Sequence, residues 1–326
     1  MPSRRPILAT LLAPIPNTPG VYLFYGTQDE LLYVGKSKSL KTRVRAHFRD
    51  RSERWMTSRI RRIETHDTAG ELGALLLESR LIKEMKPMYN VAQRQRRRIV
   101  IAERRVAPEG YTALALRAVD GVDSRRSGEI LGVFKHTTQA KEFMDAACKE
   151  RMLCPVLMGL EGARRQAPNA QRSGATNPRD SSIVYRQSSI TSRRPCFSYH
   201  LGRCLGACVG EEPPETYNAR VETAFEERRI VAWPYGGGLV IGERGPGNRE
   251  EIFLVDNWVL VGSLTKQGDS LAPFVPTSHR FDYDTYKILY TFVAKPSGGQ
   301  VLRVPSAAEW KRLLKAAGGQ IKVRQD

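Results

Sequence analysis

The chain of 326 residues contains no apolar run long enough to cross a bilayer, which excludes a membrane-spanning helix. It has no internal repeat, so solenoid and propeller architectures fall away. The absence of a long basic amphipathic helix argues against a membrane-surface partner. Acidic residues are scarce: 34 Asp and Glu stand against 52 Lys and Arg, leaving a formal net charge of +18. Such a surplus fits a polyanionic partner, most often nucleic acid. Cysteine is scarce too, and five of them, an odd number at uneven spacing, argue against a disulfide framework. No Cys-x-x-Cys pair occurs, which weighs mildly against an ordinary zinc site. Apolar residues are plentiful at 41%, enough for packed cores, and the length suits two or three domains.

Arg4-Arg5 followed by Ile7 to Ala13 has the outline of a short export signal. Thr10 and then Pro14 and Pro16 break that run, and a cytoplasmic protein is expected. The expected fold class is α+β. Residues 14–98 read as an N-terminal α/β unit, 99–228 as a cysteine-containing middle region with a basic, flexible insertion at 163–195, and 229–326 as a C-terminal β-rich region.

Within the first unit, Val21-Tyr22-Leu23-Phe24-Tyr25 and Leu31-Leu32-Tyr33-Val34 are β-favouring runs separated by the turn-forming stretch Gly26 to Glu30, which predicts a hairpin. The hairpin sets Tyr22 and Tyr33 on neighbouring strands, and Gly20 and Gly35 leave room for a backbone or a phosphate to come close. Leu40, Val44 and Phe48 then recur at helical spacing, with Ser37 or Ser39 as cap. A strand is expected near Ile63-Glu64-Thr65. Thr68-Ala69-Gly70-Glu71 reads as a capping box opening a helix through Leu72, Leu75, Leu76 and Ile82, which Pro87 ends.

Phosphodiester cleavage needs an activated water, stabilisation of added negative charge and help for the leaving oxygen. A tyrosine acting as base needs nearby positive charge, because its ordinary pKa is about 10. Lys36 lies three residues after Tyr33. Arg43, on the following helix, can make paired bonds to phosphate oxygens, and His47 is one turn further along the same face. Glu78 interrupts an apolar helix face, with Leu75, Leu81 and Ile82 around it. A carboxylate there calls for a cation, either an arginine or a metal such as Mg²⁺ or Mn²⁺. No second carboxylate stands out, so a single ion is expected. Cys196, Cys204 and Cys208 cluster tightly and point to a metal, with Cys154 or Cys148 as fourth ligand. Spacing leaves zinc and an iron–sulfur cluster both open.

In order, Gly20-Val21-Tyr22, Tyr33-Val34-Gly35-Lys36, Arg43 with His47, Glu78 and Asn90 resemble the GIY-YIG nuclease domain, with valine in place of both isoleucines. Leu75-Leu76-Leu77-Glu78 and Pro87-Met88-Tyr89-Asn90 are similar to the branch at the N-terminus of the UvrC family. That resemblance implies that Tyr22 or Tyr33 helps to activate water, Arg43 stabilises the phosphate, and Glu78 holds one Mg²⁺ or Mn²⁺, with Lys36 and Asn90 in support. Candidate DNA contacts are Lys36, Lys38, Lys41, Arg43, Arg94, Arg96, Arg97 and Arg98. The cysteine region also resembles UvrC, which implies a [4Fe–4S] cluster on Cys154, Cys196, Cys204 and Cys208, although the insertion after Cys154 is longer than the family leads one to expect. The layout of a middle region followed by a glycine-punctuated β region, with Leu153-Cys154-Pro155 and Leu157 to Glu161, looks like the short, Cho-type branch. The implied activity is a 3′ incision in damaged double-stranded DNA already marked by UvrB, with UvrA acting upstream, by a monomer. The competing expectations are a GIY-YIG nuclease with a mobile-element or restriction target, and a non-catalytic nucleic-acid binder on a nuclease scaffold.

Overall fold

The computed structural model describes residues 9–91, 99–107, 109–119, 122, 126, 128–161, 195–267, 270–274, 281–295 and 300–318. Arg94, Arg96, Arg97 and Arg98 and residues 163–194 of the basic insertion lie outside the described residues.

Strands β1 (Gly20–Tyr25) and β2 (Leu31–Ser37) form the expected antiparallel hairpin, and β3 (Arg62–Asp67) adds to the other edge of β1, giving the order β2-β1-β3. Tyr22 faces Gly35 across the hairpin and Phe24 faces Tyr33, so the two tyrosines are diagonal neighbours on one face. The glycines serve the protein itself. A Cβ on Gly35 would lie 2.3 Å from the Tyr22 hydroxyl, and one on Gly20 would lie 2.2 Å from the His66 carbonyl. The room beside Tyr22 is therefore filled by its own ring.

Helix α1 (Leu40–Arg49) buries Leu40, Val44 and His47 against the hairpin, and a short α2 (Arg54–Thr57) follows. Helix α3 (Glu71–Met85) buries Leu72, Ala74, Leu76, Leu77 and Ile82, and stops at Lys86 in a left-handed turn just before Pro87. The expected capping box does not form. Gly70 is the N-cap with no side-chain bond, the Thr68 hydroxyl donates to the Gly70 carbonyl, and Glu71 faces lysines instead.

The middle region carries a three-stranded sheet of β4 (Ile99–Val106), β5 (Thr112–Val119) and β6 (Ile130–Phe134) in the order β5-β4-β6. Helix α4 (Thr137–Arg151), the single turn α5 (Phe197–His200) and α6 (Pro214–Phe225) complete it, with Tyr217, Val221 and Phe225 buried at helical spacing.

The C-terminal segment holds an antiparallel five-stranded sheet, in the order β10-β9-β8-β7-β11. Its strands are β7 (Leu239–Arg244), β8 (Glu250–Asp256), β9 (Val259–Gln267), β10 (Ser270–Pro273) and β11 (Gln300–Arg303). It also contains two helices that the β-rich reading did not foresee, α7 (Tyr283–Ala294) and α8 (Ala307–Ala316). Residues 1–96 and 233–326 form one compact unit, and residues 97–232 a second. No helix among the described residues is long and apolar enough to cross a membrane.

Candidate active site and cysteine cluster

Tyr22, Tyr33 and His47 converge where the hairpin meets α1. Their rings are mutual neighbours, with centroids 5.5 to 6.1 Å apart. The Tyr22 hydroxyl and His47 Nε2 are 2.6 Å apart, and both residues are essentially buried. On its other side, His47 Nδ1 meets the carboxylate of Glu53 in a very short contact. With Nδ1 against a carboxylate, a neutral ring carries its proton there and Nε2 accepts from the phenol. The result is a chain from the buried Tyr22 through the buried His47 to the part-exposed Glu53.

Burial, and then the neighbouring Tyr33, push Tyr22 well above the ordinary range of a phenol, while Arg43 pulls it back. Tyr33 is half-buried and is raised by burial and by Glu78, again opposed by Arg43. Arg43 lies on the exposed side of α1, one turn before His47, and the phenols hold it the more firmly protonated. It is thus the cation that acts on both tyrosines while facing outward.

Glu78 projects from the middle of α3. Its Oε1 accepts the backbone N–H of Lys36 at 3.0 Å, and burial raises its pKa above that of a free carboxylate. The Lys36 ammonium is spent on Glu71 at 3.3 Å, and Lys38 joins the same carboxylate at 2.6 Å. Lys41 is half-buried on α1. Asn90 clamps β2 with two bonds of 2.9 Å, accepting from the Val34 N–H and donating to the Val34 carbonyl. That grip fixes the strand between Tyr33 and Lys36.

Glu78 meets the requirement for holding a hard divalent ion: one half-buried carboxylate, with no cationic side chain bonded to it among the described residues, and one oxygen already oriented by an amide. Sequence reasoning missed Glu53. It lies beyond the end of α1, six residues after His47, at a spacing with no helical or strand meaning, so only the turn between α1 and α2 brings it back.

In the middle region the Sγ atoms of Cys154, Cys196, Cys204 and Cys208 lie within 4.8 Å of one another, all buried. Cys148 is buried in the same apolar core but stands outside this group, and burial pushes its thiol up to about 12. The left-handed turn at Met152 reverses the chain after α4 and aims Cys154 at the other three. Sharing of hydrogen bonds among the four thiols raises Cys154 and lowers Cys196 and Cys208, the latter to about 4. Four clustered thiols are a donor set suited to soft metal ions or an iron–sulfur cluster.

The chain is similar to known proteins along much of its length. A family model described as the UvrC-like GIY-YIG domain matches residues 18–91, the UvrC/Cho excinuclease middle domain matches 179–227, and the excinuclease Cho C-terminal domain matches 239–308. Excinuclease cho of Salmonella typhimurium is 33% identical over 283 residues, covering 86% of this chain and 85% of that protein. Excinuclease cho of Escherichia coli K12 is 32% identical over 286 residues, covering 86% and 84%. UvrABC system protein C of Desulforudis audaxviator is 32% identical over 210 residues, 64% of this chain but 29% of that protein. Among solved structures, the magnesium-bound N-terminal endonuclease domain of UvrC from Thermotoga maritima is 32% identical, covering 27% of this chain and 100% of that one, with a TM-score of 0.25.

Proposed function

The chain belongs to the excinuclease Cho family of DNA-repair endonucleases, and from that premise we propose that it makes the 3′ incision at damaged DNA by one-metal phosphodiester hydrolysis. The observation that carries the mechanism is the hydrogen-bonded chain from the buried Tyr22 through His47 to the part-exposed Glu53, set beside Arg43 and Glu78.

The Tyr22 proton has a place to go. His47 Nε2 takes it, and the Glu53 carboxylate stabilises the imidazolium that results, as the acidic member of a Ser-His-Asp triad does. The phenolate left behind is stabilised by Arg43 and accepts a proton from water. Water attacks phosphorus in line as the bond to the 3′ oxygen breaks, giving 5′-phosphate and 3′-hydroxyl ends. Arg43 presents its guanidinium to two phosphate oxygens while their charge increases. Tyr33, nearer the surface, packs beside Tyr22, and Asn90 keeps its strand in place. Glu78 would hold Mg²⁺ or Mn²⁺, which supplies charge neutralisation at the phosphate and the leaving oxygen.

The four-cysteine group is assigned a [4Fe–4S] cluster, supported by its all-thiol donor set, its apolar surroundings and the lack of a Cys-x-x-Cys pair. The exposed Lys38 and Arg43 and the half-buried Lys36 and Lys41 are assigned to the DNA-facing surface. The partner is UvrB bound at the lesion, after UvrA has loaded it, and the enzyme acts as a cytoplasmic monomer.

The decisive assay is nicking of a lesion-bearing duplex with UvrA, UvrB and Mg²⁺. One cut on the 3′ side, lost in Glu78→Ala and in Arg43→Ala, is the expected result. Cutting of undamaged DNA at a fixed sequence without UvrB, or full 3′ incision by either variant, would overturn the reading.

A further inference from the structure

Helix α3 carries Glu78, yet its own segment leaves its N-terminus uncapped. The first turn of a helix has backbone N–H groups with no partner inside the helix, and a nearby side-chain oxygen normally takes them. Here Gly70 has no side chain to offer, Thr68 is turned to the Gly70 carbonyl, and Glu71 is engaged with Lys36 and Lys38.

The missing acceptor comes from the C-terminal sheet. Glu243 on β7, only 4% exposed, takes the Leu72 N–H on Oε1 at 3.0 Å and the Gly73 N–H on Oε2 at 2.9 Å. A carboxylate at that position also meets the positive end of the helix dipole. Gln300 on β11 donates to Glu243 Oε1 at 3.3 Å and holds it in place. Directly across the ladder on β8 lies Glu251, fully buried, bonded to Arg249 and to the Ala69 N–H.

Glycines allow the approach from both sides. A Cβ on Gly70 would lie 2.3 Å from the Glu243 carboxyl, one on Gly73 would lie 2.1 Å from Glu251 Oε2, and one on Gly245 would lie 2.1 Å from the Ala69 carbonyl. The other end of α3 is held as well: Lys83, nearly buried, pairs with Asp282 at 2.6 Å and Asp284 at 3.1 Å, and Asp282 itself caps α7. Glu78 stands between these two attachments. The first turn of α3 is also tied to β2, through Glu71 and Lys36, at the residue whose N–H orients Glu78.

We propose that Glu243 is a positioning residue for the metal site: by capping α3 it sets the helix so that Glu78 presents its carboxylate to the divalent ion, which makes the C-terminal sheet an integral part of the nuclease. This rests on the reading of Glu78 as the metal ligand.

The test is Mn²⁺ binding by the full chain, followed by electron paramagnetic resonance, with nicking at graded Mn²⁺ alongside. Glu243→Ala is expected to weaken Mn²⁺ binding about three- to tenfold, and to raise the half-saturating Mn²⁺ for nicking in parallel. Glu243→Gln keeps one acceptor and should restore part of the loss. Wild-type Mn²⁺ affinity in a folded Glu243→Ala, or in Glu243→Gln should the alanine variant not fold, overturns the proposal. Glu78→Ala separates the two levels. Loss of binding there, with wild-type affinity in the Glu243 variants, removes the positioning role alone. Unchanged binding in Glu78→Ala removes the ligand assignment beneath it.

Discussion

Tyr22 is a phenol that burial holds protonated, and its neighbours decide whether it can serve as the proposed base. Arg43 favours the phenolate from one side and His47 offers an acceptor at 2.6 Å from the other. Because His47 is 2% exposed, it does not reach DNA itself, and its removal should act on the chemical step alone. His47→Ala is expected to slow single-turnover nicking by about 10²- to 10⁴-fold with DNA affinity unchanged. Glu53→Gln keeps the shape but not the charge, and should slow nicking less. Fluorescence anisotropy for binding and rapid-quench nicking for rate separate the effects. A wild-type rate in His47→Ala would move the base to Tyr33. The tyrosines, Arg43, His47 and Glu78 stood out as candidates because each sits in a run whose period fixes its face, whereas Asn90, in the turn after α3, was singled out only by the family resemblance. Glu53 was not, since a turn rather than a period returns it to His47.

Elements declare themselves in sequence when they are stabilised locally, and the misses mark where they are not. The hairpin, α1, β3 and the body of α3 follow from alternation or helical spacing. The start of α3 does not follow, because its cap lies about 170 residues away in sequence on β7. Helix α7 was hidden by composition: Tyr283 to Ala294 is rich in Tyr, Thr, Ile, Val and Phe, residues that favour strands. Burial of Tyr286, Leu289 and Phe292 on one helical face overrides that preference. The sheet that caps α3 also holds a titrating group. Burial above all raises Glu251 to about 7, against about 4.5 for a free carboxyl. The folded protein therefore keeps a proton that the unfolded chain releases, so stability is highest below pH 4.5 from this group and falls as pH rises from about 4.5 through about 7. Its part in that fall is of order 3 kcal/mol. Glu251→Gln cannot ionise and keeps an acceptor for Arg249. Denaturant melts should show wild type losing more stability than Glu251→Gln between pH 5 and pH 8, and equal losses would mean that Glu251 titrates as it does in water.

At the scale of the whole molecule, the nuclease residues and the cysteine group belong to different compact units. The cysteine group sits in an apolar core with Leu157, Met158, Ala207 and Tyr217. Metal ligation in such a place contributes directly to folding. Sequence left Cys148 and Cys154 as rival ligands because both precede the insertion, and spacing across an insertion carries no geometry. The fold separates them: α4 ends at Arg151, the chain turns back at Met152, and only Cys154 joins the other three. Cys154→Ser is therefore expected to lose most of the bound metal and to melt at a lower temperature than wild type. Cys148→Ser should keep its metal, since the change removes no ligand, whatever the hydroxyl costs in the apolar core. Anaerobically purified protein should be brown, with broad absorption in the blue that Cys154→Ser lacks. A colourless wild type carrying stoichiometric zinc would replace the iron–sulfur assignment while leaving the ligand set intact. Metal retained by Cys154→Ser but lost by Cys148→Ser would overturn the ligand set itself.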